Sequence, residues 1–260
     1  MKIAILIPGH LRAWEYCKQN FIEMLYDKQH QIDIFVDTYF QQFRIDCNTH
    51  DLGSYQKETQ LNIILNDEQI TNLFSHLNVV SLQIEDEHDV KNEFQQTGVW
   101  NVEQQKPIDG PPHLRKLHKI QKSLKQYEHD NGVYDLVVKT RPDILINGKI
   151  NYDKLYEQTK KFPRFVCCGI GFSTFPNDMI NIGSSETIHS LLQRETIDIG
   201  SRDGCEELID MSVIRLDTNP YFNIDCFTPT RYYIKGVEFI IDNTNIGQRR
   251  KHKNEMIYQQ

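Results

Sequence analysis

The chain has 260 residues, of which 39% are hydrophobic and 25% are charged, so it is long enough for one large globular domain or two small ones. Its formal net charge of −7 at pH 7 argues against a general nucleic-acid-binding protein, because such a protein needs a broad basic surface. No apolar run approaches the roughly 20 residues that cross a bilayer, and the apolar run at the N-terminus is shorter than a signal-peptide core. We therefore expect a protein of the cytoplasm with no transmembrane segment and no nucleic-acid partner.

The first 40 residues show a strand, a helix and a second strand. The sequence KIAILI (2–7) predicts a buried strand that ends at Pro8 and Gly9. Apolar residues at helical spacing predict a helix over 13–28, and the alternation in QIDIFVDTY predicts a strand over 31–39. A strand–helix–strand unit this short predicts two parallel strands joined by a right-handed crossover.

The rest of the chain keeps alternating between helical and extended patterns. Residues 97–112 are predicted to form a loop, and its position before a long helix favours a segment that covers a site. The other predicted elements are helices over 67–77, 113–130 and 203–216, a helix that starts at Ser184 or Ser185, a helix or hairpin over 149–160, and strands over 78–86, 134–141, 164–170, 179–182 and within 231–241.

These elements predict a single α/β domain over 1–245, with a mostly parallel central sheet flanked by helices. A basic polar tail is predicted to follow over 246–260. Ligands of such sheets bind at the carboxyl ends of the strands. Three segments at predicted strand ends carry polar side chains suited to chemistry: 8–12, 37–43 and 141–149.

The segment YDLVVKTRPDI (134–144) runs an apolar strand directly into Arg141, Pro142 and Asp143. Proline has no N–H to donate and keeps the preceding residue extended, so the strand must end here. A carboxylate on so stiff a turn is a good ligand for a hard divalent cation, and Arg141 could neutralise a diphosphate leaving group. The alternative is a surface ion pair between Arg141 and Asp143 at the end of a strand.

The segment IPGHLR (7–12) connects the first predicted strand to the first predicted helix. Gly9 permits a close approach of the backbone, and the N-terminus of a helix favours phosphate. His10 and Arg12 are candidates for contacts with an anion, although such a histidine is more often a polar residue satisfied within the protein. The glycine spacing is not that of a dinucleotide-binding loop.

Five segments in order, KIAILIPGHLR, DIFVDTY, a basic helix, YDLVVKTRPDI and NDMINIG, resemble a group of small GT-A glycosyltransferases found in large DNA viruses and bacteria. These enzymes have a Gly-x-x-Arg loop after the first strand, and an Arg-x-Asp motif in place of the commoner Asp-x-Asp metal motif. The resemblance covers about residues 1–195, with little from 40–110. It implies a single GT-A-like, Rossmann-related domain.

The resemblance also implies a role for individual residues. Asp143 would ligate Mn²⁺ or Mg²⁺, and Arg141 would act in catalysis beside it. Asp178 would lie on the sugar side, holding sugar hydroxyl groups or acting as a general base, although an aspartate after Pro-Asn is also a common turn residue. The residues that would bind the nucleotide and its phosphates are Pro8, Gly9, His10, Arg12, Asp37, Thr38 and Lys119. For Lys119, a solvated helix lysine is the alternative.

The implied function is metal-assisted transfer of a hexosyl or pentosyl group from a nucleotide-diphosphate sugar, such as a UDP- or GDP-sugar, to a hydroxyl group of a glycan or glycoprotein. A viral member would act in the host cytoplasm. Two alternatives stay open: a nucleotidyltransferase, and a non-catalytic module that binds nucleotide sugars. The arginine at position 141, where Asp-x-Asp enzymes have an aspartate, is the feature that favours the binding module.

Overall fold

A computed structural model describes residues 1–11, 14–42, 63–96, 100–101, 106–107, 111–146, 148–162, 166–168, 180–192, 226–227, 232–235 and 238–241. The strands are β1 (Lys2–Pro8), β2 (Gln31–Tyr39), β3 (Gln41–Gln42), β4 (Ile63–Ile64), β5 (Val79–Glu85), β6 (Trp100–Asn101), β7 (Lys106–Pro107), β8 (Leu136–Thr140), β9 (Leu145–Ile146), β10 (Val166–Cys168), β11 (Ile180–Gly183), β12 (Cys226–Phe227), β13 (Tyr232–Lys235) and β14 (Glu238–Ile241). The helices are α1 (Trp14–Leu25), α2 (Asp67–Leu73), α3 (Glu87–Gln96), α4 (Pro111–Asn131), α5 (Tyr152–Lys161) and α6 (Ser185–Leu192).

Six strands form a mixed sheet in the order β10–β11–β8–β1–β2–β5. The four neighbours β8, β1, β2 and β5 are parallel, whereas β11 is antiparallel to both β8 and β10. The predicted parallel pairing of β1 with β2 is confirmed, with Lys2 opposite Gln31 and Pro8 opposite Asp37. The mostly parallel α/β fold predicted from the sequence is therefore confirmed.

Helices cover both faces of the sheet. Alternate residues of β1, such as Ile3 and Ile5, pack with side chains of α1, α2 and α5 on one face. The residues between them, Ala4 and Leu6, pack with α4 and α6 on the other. Since β1 is buried on both faces, its sequence is almost wholly apolar, as parallel strands usually are.

Several helix ends follow local sequence signals. Asn66 caps α2, and the side chain of Gln69 binds back to the Asn66 N–H, which completes a capping box. Asn151 caps α5 through the N–H of Lys154. After α4, Gly132 has a φ of 86° and its N–H donates to the carbonyl oxygen of Glu128, as in a helix C-cap.

The short strands β3, β4, β9 and β12 were not predicted, and three longer regions also differ from the elements predicted along the chain. Helix α3 was not predicted, because its sequence EHDVKNEFQQ is polar on nearly every face. The predicted loop over 97–112 contains the short antiparallel pair β6–β7, and α4 begins within it at Pro111. The strand expected within 231–241 is two strands, β13 and β14, paired antiparallel.

This topology gathers strand ends at one edge, here called the carboxyl edge: the carboxyl ends of β1, β2, β5 and β8. β11 begins at the same edge, because Ile180 lies opposite Thr140 at the end of β8. Among the described residues, no helix has both the length and the apolar character needed to cross a membrane.

Candidate functional site

The loop after β1 is held against the end of β2. Pro8 ends β1 in register with Asp37. The N–H of Gly9 donates to the carbonyl oxygen of Asp37 over 2.8 Å. Gly9 has a φ of 101°, in the left-handed region that glycine adopts without strain. The turn therefore needs glycine, and it places His10 beside the end of β2.

His10 packs on the aromatic end of β2. Its ring centroid lies 4.6 Å from that of Tyr39, with 34° between the ring planes. Nδ1 lies 3.0 Å from the carbonyl oxygen of Gln41, and because a carbonyl only accepts, Nδ1 carries the proton and donates. Nε2 lies 3.9 Å from Oε1 of Glu87, in the first turn of α3. Contacts with β2, β3 and α3 thus orient this imidazole at the carboxyl edge.

A buried lysine joins the ends of β2 and β5. Nζ of Lys116, on α4, donates to Oδ1 of Asp37 over 2.6 Å and to Oε2 of Glu85 over 2.7 Å. A third hydrogen bond of 2.8 Å goes to the carbonyl oxygen of Thr38, and Nζ lies 4.0 Å from the ring centroid of Tyr39. An ammonium group has three N–H donors, so all three are used. We call Asp37, Glu85 and Lys116 the buried ion cluster.

The pKa values of the two carboxylates of the buried ion cluster are shifted in opposite directions. Burial is the largest influence on Asp37 and raises its pKa, although Lys116 and Lys119 act to lower it. Burial also acts to raise the pKa of Glu85, but hydrogen bonds from Lys116, Lys119 and Arg115 outweigh it and lower the pKa to about 2. Glu85 therefore stays ionised in acid, because three cations donate to it.

Two further cations of α4 bind Glu85 from the solvent side. Nζ of Lys119 lies 2.7 Å from Oε1 of Glu85. Nη2 of Arg115 lies 3.0 Å from the same oxygen, while its Nη1 binds Glu93 over 2.6 Å. The Lys119 side chain is 35% exposed, unlike that of Lys116, which is fully buried. Lys119 is therefore anchored at the edge and still open to solvent, and its contact with phosphates stays a prediction.

Two polar atoms at the end of β2 lack a hydrogen-bond partner among the described residues. They are Oδ2 of Asp37 and Oγ1 of Thr38, and both are buried. Buried polar atoms without a partner are rare in folded proteins. The end of β2 therefore buries two polar side-chain atoms that the described residues leave without a hydrogen bond.

Strand β8 ends in an arginine and an aspartate that bind each other. Nε of Arg141 donates to Oδ1 of Asp143 over 2.9 Å, and Nη2 donates to Oδ2 over 2.9 Å. Pro142 and Asp143 form the turn between them, where the missing N–H of proline ends the strand. The side chain of Asp143 is 3% exposed and that of Arg141 is 22% exposed. The carboxylate of Asp143 is therefore shielded from solvent, whereas the guanidinium of Arg141 is partly exposed to solvent.

The described residues do not fit a divalent cation at Asp143. A cation such as Mg²⁺ takes about six oxygen ligands. Across the described ranges, no three His, Cys, Asp or Glu side chains are grouped to hold a metal ion. Both oxygens of Asp143 already accept hydrogen bonds from Arg141. The ion pair that the sequence left open as an alternative is thus formed, and it is largely buried.

The structure brings most of the predicted site residues to the carboxyl edge. Because Lys139 lies opposite Leu6, the end of β8 is level with the end of β1. The predicted residues at this edge are Pro8, Gly9, His10, Asp37, Thr38, Lys119, Arg141 and Asp143. Arg12 and Asp178 lie outside the described residues. Asp178 precedes, by two residues, a strand that begins at this edge.

Sequence reasoning missed the residues that hold the edge together, Lys116 and Glu85. A signal for Lys116 was present, since it stands four residues before Ile120 and eight before Leu124, within the apolar stripe of α4. A lysine at such a position must find a buried anion. Glu85 carries no comparable signal, because a glutamate at a strand end is usually solvated.

No protein-family model matches this chain, and no curated protein matches it. Among solved structures, the chain aligns with an active-site mutant of LgtC, a glycosyltransferase, with a TM-score of 0.35 and 8% sequence identity. The alignment covers 73% of this chain and 59% of the LgtC chain, so this chain spans less than two thirds of the length of that structure.

Proposed function

We propose that this protein transfers a glycosyl group from a nucleotide-diphosphate sugar to a hydroxyl group of a glycan or glycoprotein. The observation that carries the proposal is the set of polar side chains at the carboxyl edge of a mostly parallel sheet, where ligands of α/β folds bind. Three cationic or titratable groups reach solvent there: His10 after β1, Lys119 on α4 and Arg141 after β8. The ordered motifs of the sequence support the same activity.

The proposed chemistry divides the edge into a nucleotide side and a leaving-group side. The loop at Gly9 and His10, with the end of β2, would receive the nucleoside. Asp37 is covered by Lys116, so we assign it a positioning role: its carboxylate holds Lys116, and its backbone carbonyl oxygen accepts from the Gly9 N–H. Lys119 would lie along the phosphates, where an exposed ammonium group attracts the diphosphate.

The reaction breaks the bond between the anomeric carbon and the diphosphate oxygen and forms a bond from that carbon to the acceptor oxygen. Arg141 would stabilise the charge that develops on the departing diphosphate through guanidinium N–H groups. Asp178 would take the proton of the acceptor hydroxyl group, or position the sugar. In this scheme Arg141 interacts with the leaving diphosphate, and Asp178 accepts the proton of the acceptor.

A panel of UDP- and GDP-sugars tests the proposal, with binding followed by calorimetry and turnover by release of UDP or GDP. We expect one donor to bind and to be hydrolysed slowly to free nucleoside diphosphate and sugar when acceptor is absent. Each donor is measured with Mn²⁺ and with EDTA. Failure of every donor to bind under either condition would contradict the proposal.

A matched pair of lysines on α4 sharpens that experiment. Lys119→Ala should weaken UDP or GDP binding by about tenfold, since a hydrogen bond to a charged group contributes roughly 1.5 kcal/mol. Lys122→Ala removes an exposed lysine of the same helix and should change binding less than twofold. Equal losses in the two variants would mean that the helix attracts nucleotide only through its general charge.

The second candidate function is a module that binds nucleotide sugars without transferring them. The Arg141–Asp143 ion pair favours it, because an arginine stands where the Asp-x-Asp enzymes have an aspartate and binds the remaining carboxylate. Such a module would bind a donor and leave it intact through long incubation with acceptor glycans. Release of UDP or GDP above the uncatalysed rate, lost in Arg141→Gln, excludes this candidate.

A further inference from the structure

We propose that a groove between β5 and α4 binds the acceptor, and that this acceptor is an uncharged oligosaccharide. Strand β5 is the last strand at one side of the six-stranded sheet, and α4 packs on its neighbours β2 and β1. The groove between β5 and α4 has a volume of about 480 Å³. Sites for small ligands usually have volumes of roughly 300–1,000 Å³. The role as an acceptor site rests on the proposed function, whereas carbohydrate binding in the groove does not.

The lining of the groove combines aromatic and uncharged polar side chains. Phe35 and Tyr127 line it, and their rings meet edge to face with centroids 5.5 Å apart. The uncharged polar side chains come from both elements and are Ser81, Gln83, Ser123 and Gln126. A sugar ring presents C–H groups on its faces and hydroxyl groups around its rim. The lining therefore offers a partner to both surfaces of a sugar.

The side-chain amide of Gln83 uses only one half of its hydrogen-bonding capacity within the described residues. Its Nε2 donates to Oγ of Ser123 over 2.8 Å, and that hydroxyl group donates to the carbonyl oxygen of Lys119 over 3.3 Å. Oε1 of Gln83 is buried and has no hydrogen-bond partner among the described residues. Buried polar atoms of this kind are usually satisfied. A ligand hydroxyl group seated against Gln83 would supply the missing donor.

The charges around the groove offset one another, which favours an uncharged ligand. Lys119 lines the groove, but its Nζ lies 2.7 Å from Oε1 of Glu85. Lys122 and Asp130 also belong to the lining, are both exposed, and carry opposite charges. A charged ligand would give up water here without gaining a net opposite charge. An oligosaccharide without charge loses less on entering.

Lys119 connects the groove to the carboxyl edge. It lines the groove and also binds Glu85, at the carboxyl end of β5. Between Lys119 and Asp130 the axis of α4 rises by roughly 16 Å, which is long enough for a short oligosaccharide. An acceptor that lies along α4 would therefore have one end beside the ammonium group that we assign to the diphosphate.

A panel of soluble oligosaccharides tests the proposal on the full chain without nucleotide. The panel holds neutral di- to tetrasaccharides of glucose, galactose, mannose and N-acetylglucosamine, with uronic-acid oligosaccharides for comparison. We expect calorimetry to detect binding of a neutral member, and the acidic members to bind no more tightly. Hydrogen exchange should then slow in β5 and in the second half of α4, and stay unchanged in α1. Absence of neutral binding, or tighter binding of an acidic member, would overturn the proposal.

Substitutions in the groove locate the binding. Gln83→Met keeps the side-chain volume but removes the amide, and should weaken oligosaccharide binding at least threefold; Gln83→Met combined with Ser123→Ala should weaken it at least tenfold. The matched control is Gln19→Met on α1, at the other face of the sheet, which should stay within twofold. Wild-type affinity in the double variant would place the oligosaccharide elsewhere and overturn the proposal. Should that variant fail to fold, the hydrogen-exchange pattern of the wild-type protein decides.

Binding of UDP and GDP separates this proposal from the proposed function. The groove variants should bind nucleotide within about twofold of the wild-type protein, since the groove holds the acceptor and not the donor. Nucleotide binding without binding of any neutral oligosaccharide would overturn the groove proposal and leave the proposed function standing. Oligosaccharide binding that is lost in the groove variants, with no nucleotide binding, would support the groove as a carbohydrate site and contradict the proposed function.

Discussion

The carboxyl edge and the opposite, amino edge of the sheet both bury carboxylates, but they satisfy them with different donors. At the amino edge, Asp33 accepts from the hydroxyl group of Tyr134 over 2.7 Å and from the side-chain amide of Asn78 over 2.7 Å. At the carboxyl edge, Asp37 accepts from the ammonium group of Lys116, and Asp143 from the guanidinium of Arg141.

Glu128 is a second buried carboxylate at the amino edge, and it too accepts several hydrogen bonds from side-chain and backbone groups. Glu128 accepts from the hydroxyl group of Ser185 over 2.5 Å, from the N–H of Tyr134 over 3.1 Å and from Nε2 of His189 over 2.6 Å. Burial acts to raise its pKa, but these hydrogen bonds outweigh burial and lower it. The donors come from α6 and from the turn before β8, so Glu128 links these parts to α4.

The difference bears on which side of the sheet can attract an anion. A hydroxyl or amide N–H is consumed by its acceptor, so the amino-edge carboxylates are satisfied and offer little to a ligand. At the carboxyl edge the donors are cations, and the side chains of Lys119 and Arg141 carry positive charge that solvent reaches. The carboxyl edge therefore keeps a capacity to bind anions, and four measurements can break or sharpen this contrast.

The largest effect is expected at Lys116. Lys116→Met keeps most of the side-chain volume but leaves Asp37 and Glu85 buried without their cation, and breaking a buried pair in this way costs about 3–5 kcal/mol. Urea denaturation should show the loss. Lys122→Met on the same helix is the control and should change the free energy of unfolding by about 0.5 kcal/mol or less. A loss below about 1 kcal/mol for Lys116→Met would mean that the cluster is accessible to water.

The second effect is the response of the buried ion cluster to acid. The pKa of Glu85 is lowered from 4.5 to about 2. A lowered carboxyl pKa stabilises the fold above the unfolded-state pKa, and this stability is lost as pH falls from about 4.5 towards 2. The loss should be roughly 2 kcal/mol, allowing for the partial exposure of Glu85. Urea midpoints between pH 6 and pH 2 would measure it, and Glu85→Gln should flatten the acid limb of that profile.

The third effect belongs to the amino edge. Tyr134→Phe removes the hydroxyl group that donates to buried Asp33 and should lower the free energy of unfolding by about 1.5 kcal/mol. UDP or GDP binding should not change, since this contact lies at the edge away from the proposed site. A shift in nucleotide affinity larger than about threefold would show that the two edges are coupled.

The smallest effect is expected at the rim of the carboxyl edge. Arg115 binds Glu93 over 2.6 Å, but the Glu93 side chain is 55% exposed. Exposed ion pairs contribute little, so Glu93→Gln should change the free energy of unfolding by about 0.5 kcal/mol or less. Thermal unfolding at low and high salt would check this, because a real contribution from the pair would shrink as salt screens it.

The sequence predicts the parts of this fold that depend on local patterns. The apolar run of 2–7, the alternation of 31–39 and the Asn131-Gly132 end of α4 each predict an element that the structure contains. Helix α3 has no apolar stripe, so its form depends on neighbours that a local pattern does not include. The ends of the strands, where the candidate site residues lie, could be predicted because the local sequence pattern that predicts each strand also shows where it stops.

The partners of the site residues are harder to predict, because they depend on contacts between distant segments. Lys116 and Asp37 are 79 residues apart in the chain, and only the packing of α4 on the sheet joins them. The Arg141–Asp143 pair is local and was one of two readings of the sequence. A choice between ion pair and metal ligand depends on how deeply Asp143 is buried and on which other carboxylates are nearby, and both are properties of the folded chain.

The turn at Gly9 has a consequence for how a ligand is received. The Gly9 N–H is fixed to β2, and Asp37 on β2 is fixed by Lys116 to α4 and to Glu85 on β5. The rim that would face a ligand is therefore held by contacts within the fold, so its conformational entropy is lost during folding rather than on association. Binding at this rim should be limited by desolvation more than by rearrangement, which favours fast association with a small ligand.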